Sequence, residues 1–378
     1  MATQPLQILL AQPRGFCAGV ERAIDSVERA LARFGAPLHV FHEIVHNRQV
    51  VDDLRGRGVV FVNDVAQVPR GEVLVFSAHG VADSVLDAAQ ARGLRVIDAT
   101  CPLVSKVHQQ VRQYSADGRR VILIGQAGHD EVEGTRGVAA AEPLEVVGSA
   151  ADIAALNWPA DTRAAYVTQT TLSIDDTAGL IDTLRQRWPD LQGPNTSDIC
   201  YASQNRQFAV RALARQVDAV LVVGARHSAN AARLREVAEQ AGVPAWLIEH
   251  VGELNPAWLD GLQRVGITAA ASTPPSLVDA LCDRLVALGA SAPRALPGEV
   301  ERVRFRLPAG LDTPALPEQP RAPPRLHPGP PAVMSALGAH QSSSNSQAGA
   351  PIAAQATSST LDEGDTSAWN RRSKVAAK

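Results

Sequence analysis

Residues 8–24, ILLAQPRGFCAGVERAI, set the reading of the whole chain. An apolar run ends in a Gly turn, and Cys17 then opens a helical pattern. Residues 95–111, RVIDATCPLVSKVHQQV, repeat the arrangement around Cys101, with Pro102 in the first helical turn. Residues 195–213, NTSDICYASQNRQFAVRAL, give a turn, Cys200 and a helix. Cys101 follows Cys17 by 84 positions and Cys200 follows Cys101 by 99, so no local loop gathers the three. A cysteine at a helix start meets the positive end of the helix dipole, which favours its thiolate. Three such cysteines at regular intervals predict three similar lobes, each offering one ligand to a shared centre. The expected centre is an iron–sulfur cluster held by Cys17, Cys101 and Cys200, with one iron left open for substrate. An isolated cysteine is more often a small buried apolar residue, and it is the repeated context, not the number of cysteines, that argues otherwise. The chain has no CxxC pair, which removes the support for thioredoxin-like or zinc-ribbon chemistry.

Outward from these stretches, short apolar runs alternate with amphipathic ones from residue 7 to about 290. The expected strands are QILLA, HVFHEI, VVFV, VLVFSA, RVIDA, RVILIG, LEVVG, AAYVTQ, AVLVVGA, AWLIE and VGITAAA. The intervening helical stretches include VERAIDSVERALARFG, PLVSKVHQQVRQYSADG and AARLREVAEQAG, and end at Gly. Such alternation predicts an α/β fold with mostly parallel sheets, and strands apolar throughout fit sheets covered on both faces. The expected division is a first lobe at 6–100, whose first strand can join lobe three, a second at 101–197 and a third at 198–306. Residues 308–331 hold nine of the 25 prolines and are followed by QSSSNSQAG and AAQATSST. Such a composition buries too little apolar surface to offset its ordering entropy, so 307–378 is read as a disordered Pro/Ser/Ala-rich tail.

A chain of 378 residues is long enough for two or three substantial cores. A net charge of −3 provides no basic field for nucleic acid. Four cysteines in this length do not make a disulfide scaffold, and free thiols suit a reducing cytoplasm. Neither a signal peptide nor a membrane-length apolar run is read in the sequence.

In open α/β sheets, ligands bind beyond the carboxyl ends of the strands. Those ends lead here to His46, His79, His129, Thr170, Ser228, Asn230 and Ser272. Converging, they form a pocket of imidazole, hydroxyl and amide donors suited to a diphosphate held without a metal. No GxxxxGK[ST] and no GxGxxG with a following ribose-binding acid supports a nucleotide loop. Glu131 is the expected acid–base group, since a carboxyl in a dry pocket holds its proton to higher pH. Glu133 competes with it, and Thr170 is placed to pass a proton or anchor a substrate alcohol. Cys282, in SLVDALCDRLVALG, reads as core packing.

The motifs PRGFCAGV, HEIVHN, FSAHGV, DATCPLV, GHDEVEGT, TQTTLS, DICYASQNRQ and VVGARHSAN, in this order over residues 7–305, resemble the 4-hydroxy-3-methylbut-2-enyl diphosphate reductase family. The resemblance implies a trefoil of three α/β lobes around one [4Fe–4S] cluster with three Cys ligands, which motif by motif are Cys17, Cys101 and Cys200, and one open iron. It implies diphosphate contacts from His46, His79, His129, Ser228, Asn230 and Ser272, with a proton relay through Glu131 and Thr170. The implied reaction is a reductive dehydration giving isopentenyl and dimethylallyl diphosphate, the last step of the methylerythritol phosphate route. A ferredoxin- or flavodoxin-type protein would supply the electrons, and the enzyme would be cytoplasmic, a monomer or a homodimer. The chain departs from the family at Ala229, where many relatives have a second serine, at Ala270, often Gly, and at His227, often Asn. Two other readings are a three-Cys zinc hydrolase and a cluster-bearing diphosphate sensor without turnover.

Overall fold

The computed structural model describes residues 5–138 and 142–311. In chain order, β1 (Gln7–Leu10) and α1 (Ala18–Phe34) lead into β2 (Leu38–Phe41), α2 (Arg48–Gly56), β3 (Val59–Val62), β4 (Val73–Phe76), α3 (Asp83–Ala91) and β5 (Arg95–Asp98). Next come α4 (Pro102–Ala116), β6 (Arg120–Ile124), α5 (Asp130–Arg136), β7 (Glu145–Val147), α6 (Ala150–Ala155), β8 (Ala164–Thr168) and α7 (Ile174–Arg187). The last group is α8 (Tyr201–Ala214), β9 (Ala219–Val223), α9 (Ala229–Gln240), β10 (Ala245–Ile248), β11 (Arg264–Ala269), α10 (Pro275–Ala287) and β12 (Arg294–Ala295).

The strands form three sheets, ordered β10-β9-β11-β1-β12, β3-β2-β4-β5 and β7-β6-β8. Each named pairing is parallel. The fold is thus α/β, three sheets in a trefoil as expected. β1 leaves the segment that follows it and pairs with β11, Ile8 opposite Val265.

Each sheet has a core on both faces, which explains why the strand sequences do not alternate. In β9, Leu221 and Val223 join one core with Cys282 and Leu285, while Val220 and Val222 join another with Val210 and Leu213. Burial of a Val or Leu side chain contributes about 1.5–3 kcal/mol, so these strands are held mainly by what covers them. In α1, Val20, Ala23, Val27 and Ala30 recur at helical spacing and face the first core, and Gly35, at φ 73°, ends the helix in a conformation that L side chains resist. Cys282 is 5% exposed among Leu281 and Leu285, as the sequence suggested. Cys282→Ser is expected to cost about 1–2 kcal/mol of stability and to leave iron content and turnover unchanged, checked by thermal melts and metal analysis.

The sequence reading passed over α2, α5, α6 and β12. These elements are short and draw on few apolar residues; α2 buries only Val50, Val51 and Leu54 and relies on the Asn47 side chain, which accepts from the Val50 N–H at 3.2 Å. Of the expected tail, residues 307–311 are described, and Leu307 and Leu311 pack on the first core, which covers these two leucines. Residues 312–378, the rest of the expected tail, lie outside the described residues. No helix among the described residues is long and apolar enough to cross a membrane.

Candidate active site

With one exception, each chemistry-bearing residue follows the carboxyl end of a strand. Cys17 follows β1, His46 β2, His79 β4, Cys101 β5, His129 and Glu131 β6, Thr170 β8, Ser228 and Asn230 β9, and Ser272 β11. Cys200 instead follows a loop that is bound to the end of β8. Its N–H donates to the Thr170 carbonyl at 3.0 Å, and Asp198 Oδ2 accepts from the Thr168 N–H. Lys106 of α4 closes this loop, reaching Asp198 at 3.2 Å and the Thr196 hydroxyl at 3.0 Å. All of the predicted site residues line one cavity of about 100 Å³.

The three cysteines are the N-caps of α1, α4 and α8. Gly19 lies where a Cβ would be 2.7 Å from Cys101 Sγ, so only glycine leaves room for that sulfur, and 3.8 Å from Cys17 Sγ, an ordinary contact. Cys200 Sγ accepts from the Ser203 N–H at 3.3 Å and approaches Ser203 Oγ at 3.2 Å. For Cys101 and Cys200 the expected thiolate character is not what the structure gives. Burial pushes the Cys101 thiol up to about 12 and the Cys200 thiol up to about 11, with the neighbouring Cys17 adding to both. Desolvation outweighs the helix ends, and such thiols ionise when a cationic centre offsets the loss of water. Three converging thiols around a glycine cradle fit an iron–sulfur group.

On the opposite wall, His46 and His79 stack with centroids 4.0 Å apart, and His129 meets His46 edge-on at 5.1 Å. His129 caps α5, its Nδ1 accepting from the Glu131 N–H at 3.1 Å, so the Nε2 bears the ring proton. Burial, then the charge of His46, lowers His129 to about 4. Burial, then His46 and His129, also lowers His79 well below the usual imidazole range. Both ring nitrogens of His46 are buried without a close hydrogen bond; Nδ1 lies 3.8 Å from Glu43 Oε2 and Nε2 has no partner. Ser228 caps α9 by accepting from the Ala231 N–H at 3.3 Å, which leaves its O–H to donate. Asn230 Oδ1 accepts from the Ala271 N–H at 2.9 Å, fixing the amide so that Nδ2 is the donor. Ser272 lines the cavity, and its hydroxyl donates to the His46 carbonyl at 2.9 Å.

Glu131 is buried beside Thr170. Its Oε1 accepts from the Thr170 N–H at 2.6 Å and its Oε2 meets the Thr170 hydroxyl at 3.0 Å. Burial raises its carboxyl to about 7, although the hydrogen bonds from Thr170 oppose that rise. Glu133 turns outward, accepting from the Gly128 N–H and pairing with Arg136 at 3.2 Å, which leaves Glu131 as the carboxyl on the cavity.

A family model described as LytB protein matches residues 8–286. The chain belongs to the LytB family. It is 56% identical over 306 residues to a 4-hydroxy-3-methylbut-2-enyl diphosphate reductase of Burkholderia pseudomallei, covering 81% of this chain and 97% of that protein. It is 54% identical over 308 residues to the reductase of that name from Aromatoleum aromaticum, covering 82% and 98%. Its structure resembles that of the E-1-hydroxy-2-methyl-but-2-enyl-4-diphosphate reductase of Plasmodium falciparum, with a TM-score of 0.77, 36% identity and coverage of 82% and 97%. LytB reductases are iron–sulfur enzymes, in keeping with the three thiols.

Against that LytB background, the departures fall in different places. Ala229 lines the cavity. Ala270 is buried off the cavity wall and packs toward Gly224. His227 stays at the rim, half exposed, with Nε2 3.0 Å from Glu43. The sequence reading assigned no role to Glu43, Asp130 or Ser203. Asp130 lies 3.3 Å from His42 Nδ1 and 3.9 Å from His79 Nδ1, and the His42 contact holds its carboxyl well below the usual range. His42 itself has φ 59°, a conformation non-glycine residues adopt rarely and mostly at functional sites. Asp130 sits between His129 and Glu131 in GHDE, and that adjacency was the available signal.

Proposed function

We propose that this cavity binds 4-hydroxy-3-methylbut-2-enyl diphosphate and converts it by reductive dehydration to isopentenyl and dimethylallyl diphosphate, the terminal step of the non-mevalonate route. The reading includes one [4Fe–4S] cluster on Cys17, Cys101 and Cys200 with one iron open, and lobe limits at 6–100, 101–197 and 198–306. Bound there, the cluster supplies electrons one at a time and a Lewis-acid site for the substrate oxygen.

The chain's own residues perform the rest. Neutral His129 donates from Nε2, and His46 offers Nε2, which the protein leaves unpartnered, while its Nδ1 faces Glu43. Ser228 and the Asn230 amide donate from the start of α9, where the helix dipole favours an anion. Buried donors of this kind form their strongest hydrogen bonds with phosphate oxygens. Glu131 holds its proton up to about pH 7, and the Thr170 hydroxyl 3.0 Å away carries it toward the substrate. Two electrons and two protons enter in all: the C–O bond breaks, oxygen leaves as water, and one end of the allyl unit gains hydrogen.

The observation that carries this reading is the buried Glu131–Thr170 pair sharing one cavity with three thiols and three imidazoles. A ferredoxin- or flavodoxin-type donor and a cytoplasmic setting belong to the same proposal, supported by the free state of all four cysteines. The test is anaerobic purification, assay of iron and acid-labile sulfide, and oxidation of a reduced dye on adding the diphosphate. Iron, sulfide and substrate-dependent oxidation are expected. Zinc without sulfide would favour the hydrolase, and a cluster without turnover the sensor.

A further inference from the structure

We propose that Arg206 and Glu301 are positioning residues that set Cys17 against Cys200 for the iron–sulfur group, an inference that rests on the cluster reading above. Arg206 lies in α8, the helix that Cys200 caps, and is completely buried. All five of its N–H donors have partners. Nε donates to the Gly15 carbonyl at 3.1 Å, and Nη2 to the Gly15 and Phe16 carbonyls at 2.7 and 3.1 Å. Nη1 donates to the Ala202 carbonyl at 2.9 Å, and the Glu301 carboxylate spans Nη1 and Nη2 at 3.0 and 3.2 Å. Gly15 and Phe16 directly precede Cys17, and Ala202 lies two residues after Cys200. One planar, permanently charged group therefore holds the backbone beside two of the three cysteines.

Glu301 comes from a strap, residues 296–311, that begins after β12 and lies beyond the residues matched by the family model. Upstream, the Leu296 N–H donates to the Leu10 carbonyl at 2.9 Å, and Gly298 lies so close to the Gln12 carbonyl that a Cβ would sit 2.0 Å from its oxygen. Downstream, Arg22 Nε donates to the Arg306 carbonyl at 2.6 Å while its Nη1 donates to the Thr100 carbonyl at 2.9 Å, one residue before Cys101. The strap thus braces the backbone supports of all three cysteines, through Arg206 for Cys17 and Cys200 and through Arg22 for Cys101. Cys17 needs this support, since its side chain forms no capping hydrogen bond of its own. Removing Glu301 leaves a buried cation without its counter-charge and frees the Gly15–Phe16 turn. A cluster ligand displaced by about half an ångström binds less well.

The test compares chelator-driven iron loss from the anaerobically loaded full chain and its variants, followed by visible absorbance. Glu301→Ala is expected to lose iron about tenfold faster or more, with the far-UV spectrum of the iron-free chain close to wild type and its melting point lowered by the unpaired buried cation. Glu301→Gln, which keeps one acceptor, should fall between the two, and Arg206→Lys, which lacks the fork, should resemble Glu301→Ala. Arg33→Ala is the control, because Arg33 binds the strap at the Gly310 carbonyl and touches no cysteine support. Wild-type loss rates in Glu301→Ala, or equal acceleration in Arg33→Ala, would overturn the positioning role. A wild-type chain without iron and sulfide would instead overturn the cluster reading and take this inference with it.

Discussion

Glu131→Gln is expected to lower turnover about a hundred- to ten-thousandfold, the range for removal of a general acid, with substrate affinity within a few fold of wild type. The amide keeps an oxygen for the Thr170 N–H and can donate to the Thr170 hydroxyl, so the pair stays in place while the transferable proton is gone. In the wild type, a carboxyl at about 7 predicts that turnover falls as pH rises through and above neutrality. The bound diphosphate only raises that limb, since a nearby negative charge stabilises the protonated acid. Stability follows the same sign. The carboxyl is raised in the folded state from an ordinary 4.5, so its contribution is full below that value and is lost as pH rises through about 7. Wild type should therefore lose on the order of 3 kcal/mol relative to Glu131→Gln between those pH values. Parallel pH–rate profiles and pH-dependent melts of the two proteins measure both effects, and an unchanged alkaline limb in the variant would reject the assignment.

Cys17→Ser, Cys101→Ser and Cys200→Ser are each expected to abolish turnover and to weaken iron retention by about a hundredfold or more. A hydroxyl is a harder and far less acidic donor than a thiol, and soft sulfur ligands are what hold iron–sulfur groups. The iron-free variants should melt within a few degrees of wild type, because burial already keeps Cys101 and Cys200 protonated and uncharged. Iron and sulfide per chain, with calorimetry of the iron-free proteins, distinguish ligand loss from misfolding. Retention of iron by any one of the three variants would remove that residue from the ligand set.

The eleven expected strands and the long helices were legible because their signals are local. Uninterrupted apolar runs such as AVLVV report burial on both faces, and Gly35 after α1 reports a helix end. The cavity residues were legible because six strand ends lead directly into His, Thr, Ser or Asn. Glu131 could not be separated from Glu133 in this way. The two lie two positions apart on one short helix, and only the packing of β8 brings Thr170 to Glu131, while Glu133 pairs with Arg136 three residues on in the same helix.

What the chain determined by itself is the alternation of strand and helix, the three capped cysteines and the polar groups that follow the strands, all encoded within a dozen neighbouring residues. Tertiary structure alone decided that β1 pairs with β11, that desolvation and not the helix dipole governs the Cys101 and Cys200 thiols, and that Glu301 reaches Arg206. Each of these depends on contacts between segments about 80 to 260 positions apart. Water exclusion and long-range charge pairing are set by what covers a residue in space, and no sequence period carries that information.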